Sequence, residues 1–138
     1  MDDSEAGWRT LPLRKIADPR GNLTPIESGV DIPFEVARVY YLYDVPSGSM
    51  RAGHAHRTLR QVYIALSGSF EVKLEDARST ETLALNRPDS GLLIGPGVWR
   101  EIENFSSGAV CLVLASARFD EADYIRDYAA FKRFVATS

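Results

Sequence analysis

The sequence predicts an all-β fold, a jelly-roll barrel of short antiparallel strands with one short C-terminal helix. Three observations carry that expectation. Short runs rich in valine, isoleucine, tyrosine and phenylalanine recur along the chain, separated by Gly, Pro, Asn, Asp and Ser, which is the pattern of short strands and tight turns. In the clearest run Phe70, Val72 and Leu74 alternate with Ser69, Glu71 and Lys73, the two-residue period of a half-buried strand. A helical period is found only in the last stretch of the chain.

The elements follow in order. Trp8 to Leu13 reads as a first strand. Asp18-Pro19-Arg20-Gly21-Asn22 is a turn cluster, after which Leu23 to Glu27 resumes an extended run. Val36 to Tyr43 is β-branched and aromatic and stops at the Pro46-Ser47-Gly48 turn. A histidine-bearing strand comes next, then Gln61 to Leu66, the Ser67-Gly68 turn, and Ser69 to Leu74. Leu83 to Leu85, Gly91 to Ile94, Trp99 to Glu103 and Ala109 to Ala115 complete the series at barrel-like spacing. From Glu121 the residues Tyr124, Tyr128 and Phe131, with Ile125 and Val135, fall at helical spacing, so an amphipathic helix is expected to close one end of the barrel. Residues 1 to 7 are expected to be loose.

With 138 residues and 45% hydrophobic content the chain is expected to form one domain with one proper core. A net charge of −3 provides no basic footprint for nucleic acid. Arginines nevertheless crowd the histidine region, which suits a small anionic ligand better than a polyanion. Cys111 is alone and sits in the apolar run Val110 to Ala115, so an inert buried thiol is expected and a disulfide within one chain is ruled out. No apolar stretch is long enough for a membrane span, and Met1 to Glu5 is acidic where a signal peptide is basic, so the expectation is a cytoplasmic protein.

The chain has two histidines, His54 and His56, and they are two residues apart. Residues at i and i+2 of a strand share a face, so both imidazoles should address one small volume, a candidate metal or proton-transfer site. Gly48, five residues, His54-x-His56, four residues, Gln61, six residues and Gly68 together resemble the first signature motif of the cupin superfamily, with its usual glutamate replaced by Gln61. Gly91 to Asn104 resembles the second cupin motif, whose metal-binding histidine, four residues before an asparagine, is here Arg100. The resemblance implies a cupin jelly roll that keeps two of the four metal ligands. A neutral amide oxygen is a weak donor and a guanidinium repels a cation, so no metal cofactor is expected.

A closer resemblance covers about residues 12 to 134. Arg38-Val39-Tyr40-Tyr41, the block Arg51-x-Gly53-His54-Ala55-His56-Arg57-x-Leu59-x-Gln61, Gly95-Pro96-x-x-Trp99-Arg100-Glu101, and Leu114-Ala115-Ser116 with Asp123-Tyr124-Ile125-Arg126 are similar to the sugar nucleotide 3,4-ketoisomerases. The resemblance implies a metal-independent cupin acting on dTDP-4-keto-6-deoxyglucose in deoxysugar biosynthesis. It also implies a homodimer with N-terminal strands exchanged between subunits.

Moving a ketone from C4 to C3 requires taking the proton from C3, holding an enediolate and returning a proton to C4. A histidine, with a pKa near 6.5, can do both near neutral pH. His54 is expected to be the base and His56 its orienter or an oxyanion donor. Tyr40, Gln61, Tyr63, Arg51 and Arg100 are the candidate donors to the enediolate, and Arg51 is the candidate diphosphate contact. If Gln61 begins a strand paired to the histidine strand, Gln61, Tyr63 and Ala65 share a face. Of Tyr40 and Tyr41 only one can face the interior. Arg57 and Arg60 read as surface charges, and Trp99 either fills the barrel mouth or lines the pocket. Arg38 joins the expected substrate contacts, as does Asn22, although its turn position suits it to a purely conformational role. Arg100 and Asn22 are expected to bear on the C4 configuration of the product, with Arg100 inclining it to the gluco form. A 3,5-epimerase and a non-catalytic sugar nucleotide binding cupin are the alternative functional classes.

Overall fold

Two antiparallel sheets of five strands each pack face to face in the computed structural model, which describes residues 7 to 137. The strands are β1 (Trp8–Pro12), β2 (Ile16–Asp18), β3 (Gly21–Leu23), β4 (Arg38–Leu42), β5 (Arg51–His56), β6 (Gln61–Ser67), β7 (Phe70–Glu75), β8 (Thr80–Leu85), β9 (Ser90–Ile94), β10 (Trp99–Glu103), β11 (Val110–Ala115) and β12 (Tyr124–Ile125). One helix, α1 (Tyr128–Ala136), follows them. The first sheet has the order β1-β9-β6-β11-β4 and the second β12-β5-β10-β7-β8, while β2 and β3 form a separate hairpin. This is the expected jelly roll. The loose segment expected over residues 1 to 7 lies outside the described residues except for Gly7, whose carbonyl accepts from Gly95 N–H at 2.8 Å.

Burial follows the two-residue period. Phe70, Val72 and Leu74 of β7 point between the sheets and meet Tyr63, Leu92, Ile102 and Val113. β6 is apolar on both faces because both are covered: Val62 and Ile64 turn outward against Leu11, Leu13, Ile32 and Phe34. Cys111 is fully buried, and desolvation pushes its thiol up to about 12, the inert state expected of it. At the β6–β7 turn Gly68 has φ +64°, and a Cβ there would stand 2.9 Å from the Ala109 Cα, so the turn requires glycine.

Several boundaries differ from the sequence reading: β2 is not among the expected strands, β8 starts at Thr80 where Leu83 is expected, and two further segments depart more. Of the run expected from Leu23 to Glu27 only Leu23 pairs, at the end of β3, whose Gly21 and Asn22 fall in the expected turn cluster, and Pro25 has no N–H to extend the ladder. The helix starts at Tyr128, not near Glu121. Asp120 caps a single 3-10 turn, Glu121–Asp123, Tyr124 and Ile125 pair with β5, and Asp127 caps α1 by accepting from Ala130 N–H at 3.0 Å. The helix lies on the outer face of the second sheet, where Phe131 packs with Ala55, Trp99 and Ile125, and does not close the barrel end. Among the described residues no helix is long and apolar enough to cross a membrane.

Candidate active site

Strand β5 divides its side chains between two jobs. Gly53 and Ala55 face outward toward the helix layer, where a Cβ on Gly53 would lie 3.6 Å from the Trp99 ring. His54 and His56 therefore both face inward, and their Nε2 atoms are 3.0 Å apart. His56 Nδ1 is 3.0 Å from Asp123 Oδ2. That carboxylate also accepts from Thr58 N–H at 2.8 Å, Thr58 Oγ at 2.8 Å and Leu59 N–H at 3.2 Å. A carboxylate accepts, so the partners assign the proton of His56 to Nδ1. Its Nε2 is then bare and takes the hydrogen from His54 Nε2.

Burial, followed by the charges of Arg100, Arg126 and Arg38, holds His56 well below the usual imidazole value of 6.5. The contact with Asp123 needs only the Nδ1–H of a neutral ring. In the unfolded chain this histidine takes up a proton below about pH 6.5, so the unfolded state binds more protons there and stability falls as pH falls. The expected loss approaches at most about 1.4 kcal/mol per pH unit from this group. Urea midpoints compared at about pH 7.5 and about pH 5 check it. Equal midpoints would contradict a buried neutral His56.

His54, but not His56, lines a cavity of about 280 Å³ between the sheets. Arg38, Tyr40, Tyr63 and Arg51, all candidate substrate contacts, share its wall with Phe119, Tyr124 and Arg126. Arg51 is there because of a bulge. Arg100 opposes His54 but Ile102 opposes Arg51, so β5 carries one extra residue between the pairs. Without it Arg51, an odd number of residues from His54, would turn outward. The Arg38 guanidinium lies 4.5 Å over the Tyr40 ring and 5.1 Å from the Phe119 ring, and donates to Tyr124 Oη at 3.4 Å. Arg126 covers the Tyr124 ring at 4.1 Å and pairs with Glu121. Tyr41 is 59% exposed, so Tyr40 is the inward member of its pair.

Gln61 and Arg100 are fully buried and lie behind the cavity wall, not in it. Gln61 does not begin a strand paired to the histidine strand: β6 lies between β9 and β11 in the opposite sheet. Gln61 and Tyr63 do share a face, and their side chains touch at 3.4 Å. Arg100 donates to Gln61 Oε1 at 2.6 Å and to the Val98 carbonyl at 3.0 and 3.3 Å. The amide oxygen at the cupin glutamate position is thus spent on a cation, and a guanidinium stands at the third histidine position. That donor set does not fit a divalent metal.

Two expected contacts lie elsewhere. Trp99 faces the outer side of the second sheet, where its Nε1–H donates to Glu101 at 3.0 Å in a groove shared with Glu75, Glu81 and Tyr128. That groove is larger, about 620 Å³, but holds neither histidine. Asn22 is exposed on the β2–β3 hairpin, away from its own chain's cavity. Sequence reasoning assigned no role to Asp123, Tyr124, Phe119 or Arg126. All four lie in a segment read as helical or left unassigned, and Asp123 and Tyr124 reach the histidines through the β12–β5 pairing.

Fold and site define a cupin in which two histidines meet on the inner face of one strand beside a cavity. A family model described as FdtA: WxcM-like, C-terminal matches residues 6–136. The chain belongs to that family. It is 44% identical over 128 residues to a TDP-4-oxo-6-deoxy-alpha-D-glucose-3,4-oxoisomerase of Aneurinibacillus thermoaerophilus, covering 93% of this chain and 92% of that one. The 3,4-ketoisomerase QdtA of Thermoanaerobacterium thermosaccharolyticum, solved as a histidine-to-asparagine mutant with TDP-4-keto-6-deoxyglucose, is 42% identical with a TM-score of 0.93 over 95% of each chain. The WlaRB TDP-quinovose 3,4-ketoisomerase of Campylobacter jejuni is 48% identical with a TM-score of 0.88, over 91% of this chain and 97% of that one.

Proposed function

We propose that this protein is a TDP-4-keto-6-deoxyglucose 3,4-ketoisomerase of deoxysugar biosynthesis. The observation that carries the reading is His54, facing the cavity and backed by His56 and Asp123, in a chain this similar to enzymes of that activity. His54 takes the C3 proton and returns it to C4. His56, fixed by Asp123, holds the His54 ring through the Nε2 contact and disperses the charge that His54 gains. Arg51 and Arg38, neither ion-paired to a carboxylate among the described residues, supply positive charge for the diphosphate. Incubation with TDP-4-keto-6-deoxyglucose and NMR of the sugar tests the reading. A 3-keto product supports it, while C3 or C5 epimers or unchanged substrate overturn it.

Activity is expected to survive exhaustive chelation, since Gln61 Oε1 is occupied by Arg100. Loss on chelation that one divalent ion restores would refute this.

The working unit is a homodimer. Ile16 and Leu23 oppose each other on the hairpin and are 54% and 57% exposed, and the outer face of edge strand β4 shows Val39 and Tyr41. Such apolar faces on sheet edges call for a cover, and exchange of N-terminal strands would carry Asn22 toward the partner. Sedimentation at micromolar concentration is expected to show twice the chain mass; a monomer would contradict it. The nucleotide-linked substrate and the lone buried thiol fit the cytoplasm.

A further inference from the structure

The hydrogen bonds of Asp123 run in one direction only. Its Oδ1 accepts from Thr58 N–H and from Thr58 Oγ–H, each at 2.8 Å. Its Oδ2 accepts from Leu59 N–H at 3.2 Å and from His56 Nδ1 at 3.0 Å. Donors thus converge on both oxygens of a carboxylate, which has no hydrogen to give back. His56 therefore carries its hydrogen on Nδ1, and its Nε2 holds a lone pair. Across 3.0 Å that lone pair faces His54 Nε2, which must be the N–H of its ring. A neutral imidazole has a single N–H, so the lone pair of His54 is left on Nδ1.

The rings are also fixed in orientation. A flip of His54 about its Cβ–Cγ bond would put carbon in the place of Nε2 and lose the contact with His56. Tyr124, the residue after Asp123, packs its ring centroid 5.1 Å from that of His54 and 4.4 Å from that of His56. The segment that supplies the acceptor thereby holds both imidazoles in register.

We propose that Asp123 is a positioning residue that sets the tautomers of both histidines, and that His54 takes and returns the migrating proton on Nδ1. The inference rests on the ketoisomerase reading above and names the atom at which it acts. The Nδ1 lone pair takes the C3 proton, and the C3–H pair forms the C3=C4 bond. The C4 carbonyl π pair withdraws onto O4, giving an enediolate. O4 gains the proton that O3 gives up, the O3 pair forms the C3 carbonyl, and the C3=C4 pair takes the Nδ1 proton at C4. His54 ends as it began, and no oxidant or reductant is consumed. While His54 is an imidazolium, its Nε2–H donates more strongly to His56, and His56 in turn to the carboxylate. Run in the opposite direction, the ladder would put the His54 hydrogen on Nδ1 and spend its lone pair on His56.

The chain has two histidines, so ¹⁵N-histidine labelling of untagged protein leaves two rings to read, and His54→Asn assigns them. At about pH 7.5, above the usual imidazole value of about 6.5, proton-coupled ¹⁵N spectra are expected to show the hydrogen of His54 on Nε2 and that of His56 on Nδ1. Asp123→Asn reverses the ladder: the amide oxygen keeps the two Thr58 donors, the NH₂ faces His56 Nδ1, and His56 donates from Nε2 to His54. Turnover is expected to fall on the order of 10²-fold or more with KM within about threefold, and the His54 hydrogen to move to Nδ1. If the parent isomerises its substrate but carries the His54 hydrogen on Nδ1, the inference is overturned while the ketoisomerase reading stands. The same holds if Asp123→Asn keeps parental turnover, or loses it with the His54 tautomer unmoved, the mark of a merely structural role. If the parent does not isomerise, both fall. An Asp123→Asn chain that does not fold leaves the parental spectrum to decide.

Discussion

His54→Asn is expected to lower turnover by on the order of 10²–10⁴-fold, the usual loss when a general base is removed, while leaving nucleotide binding nearly intact. The asparagine fills much of the same space, and its amide can still meet His56, so the buried ladder His54–His56–Asp123 keeps its packing. It cannot accept and return a proton near neutral pH. The arginines proposed for the diphosphate, Arg38 and Arg51, stand elsewhere in the cavity wall, and the change leaves them in place. Turnover of the substrate, together with a titration of TDP, checks both halves. Near-normal turnover with His54→Asn and an inactive His56→Asn would reverse the assignment, although the cavity is lined by His54 and not by His56.

Arg51→Ala is expected to raise the Michaelis constant for the sugar nucleotide at least about tenfold, since a hydrogen bond to a charged group contributes roughly 1.5–3 kcal/mol. The side chain lines the cavity near His54, and among the described residues no carboxylate pairs with it, so its charge is available to a diphosphate. Arg57→Ala is the control. That guanidinium is exposed and lies 5.3 Å over the Phe134 ring on the helix side of the second sheet, so its loss should leave the constant close to that of the parent. Equal effects of the two changes would place the diphosphate elsewhere.

The sequence by itself determined the barrel and the histidine pair, because both rest on a local period. Alternation along β7 fixes which side chains enter the core, and the i, i+2 spacing of His54 and His56 puts both on one face of one strand whatever the strand pairs with. The replacements at Gln61 and Arg100 were equally legible, since they are read against the motif spacing. Tertiary structure decided everything that depends on pairing between distant segments. The helical spacing of Tyr124, Ile125 and Tyr128 is genuine, yet β12 forms there because the β5 edge offers backbone partners and Asp123 is held by His56, Thr58 and Leu59. Arg51 stands three residues before His54, a spacing that alone turns it outward; the bulge opposite Arg100 and Ile102 reverses that. Trp99 and Arg100 are neighbours in the motif but face opposite sides of β10, one toward the helix and one toward the barrel. Whether a buried arginine contacts a ligand is set by the donors and acceptors around it, and Gln61, which Tyr63 and Tyr40 meet in turn, reaches Arg100 only across the barrel.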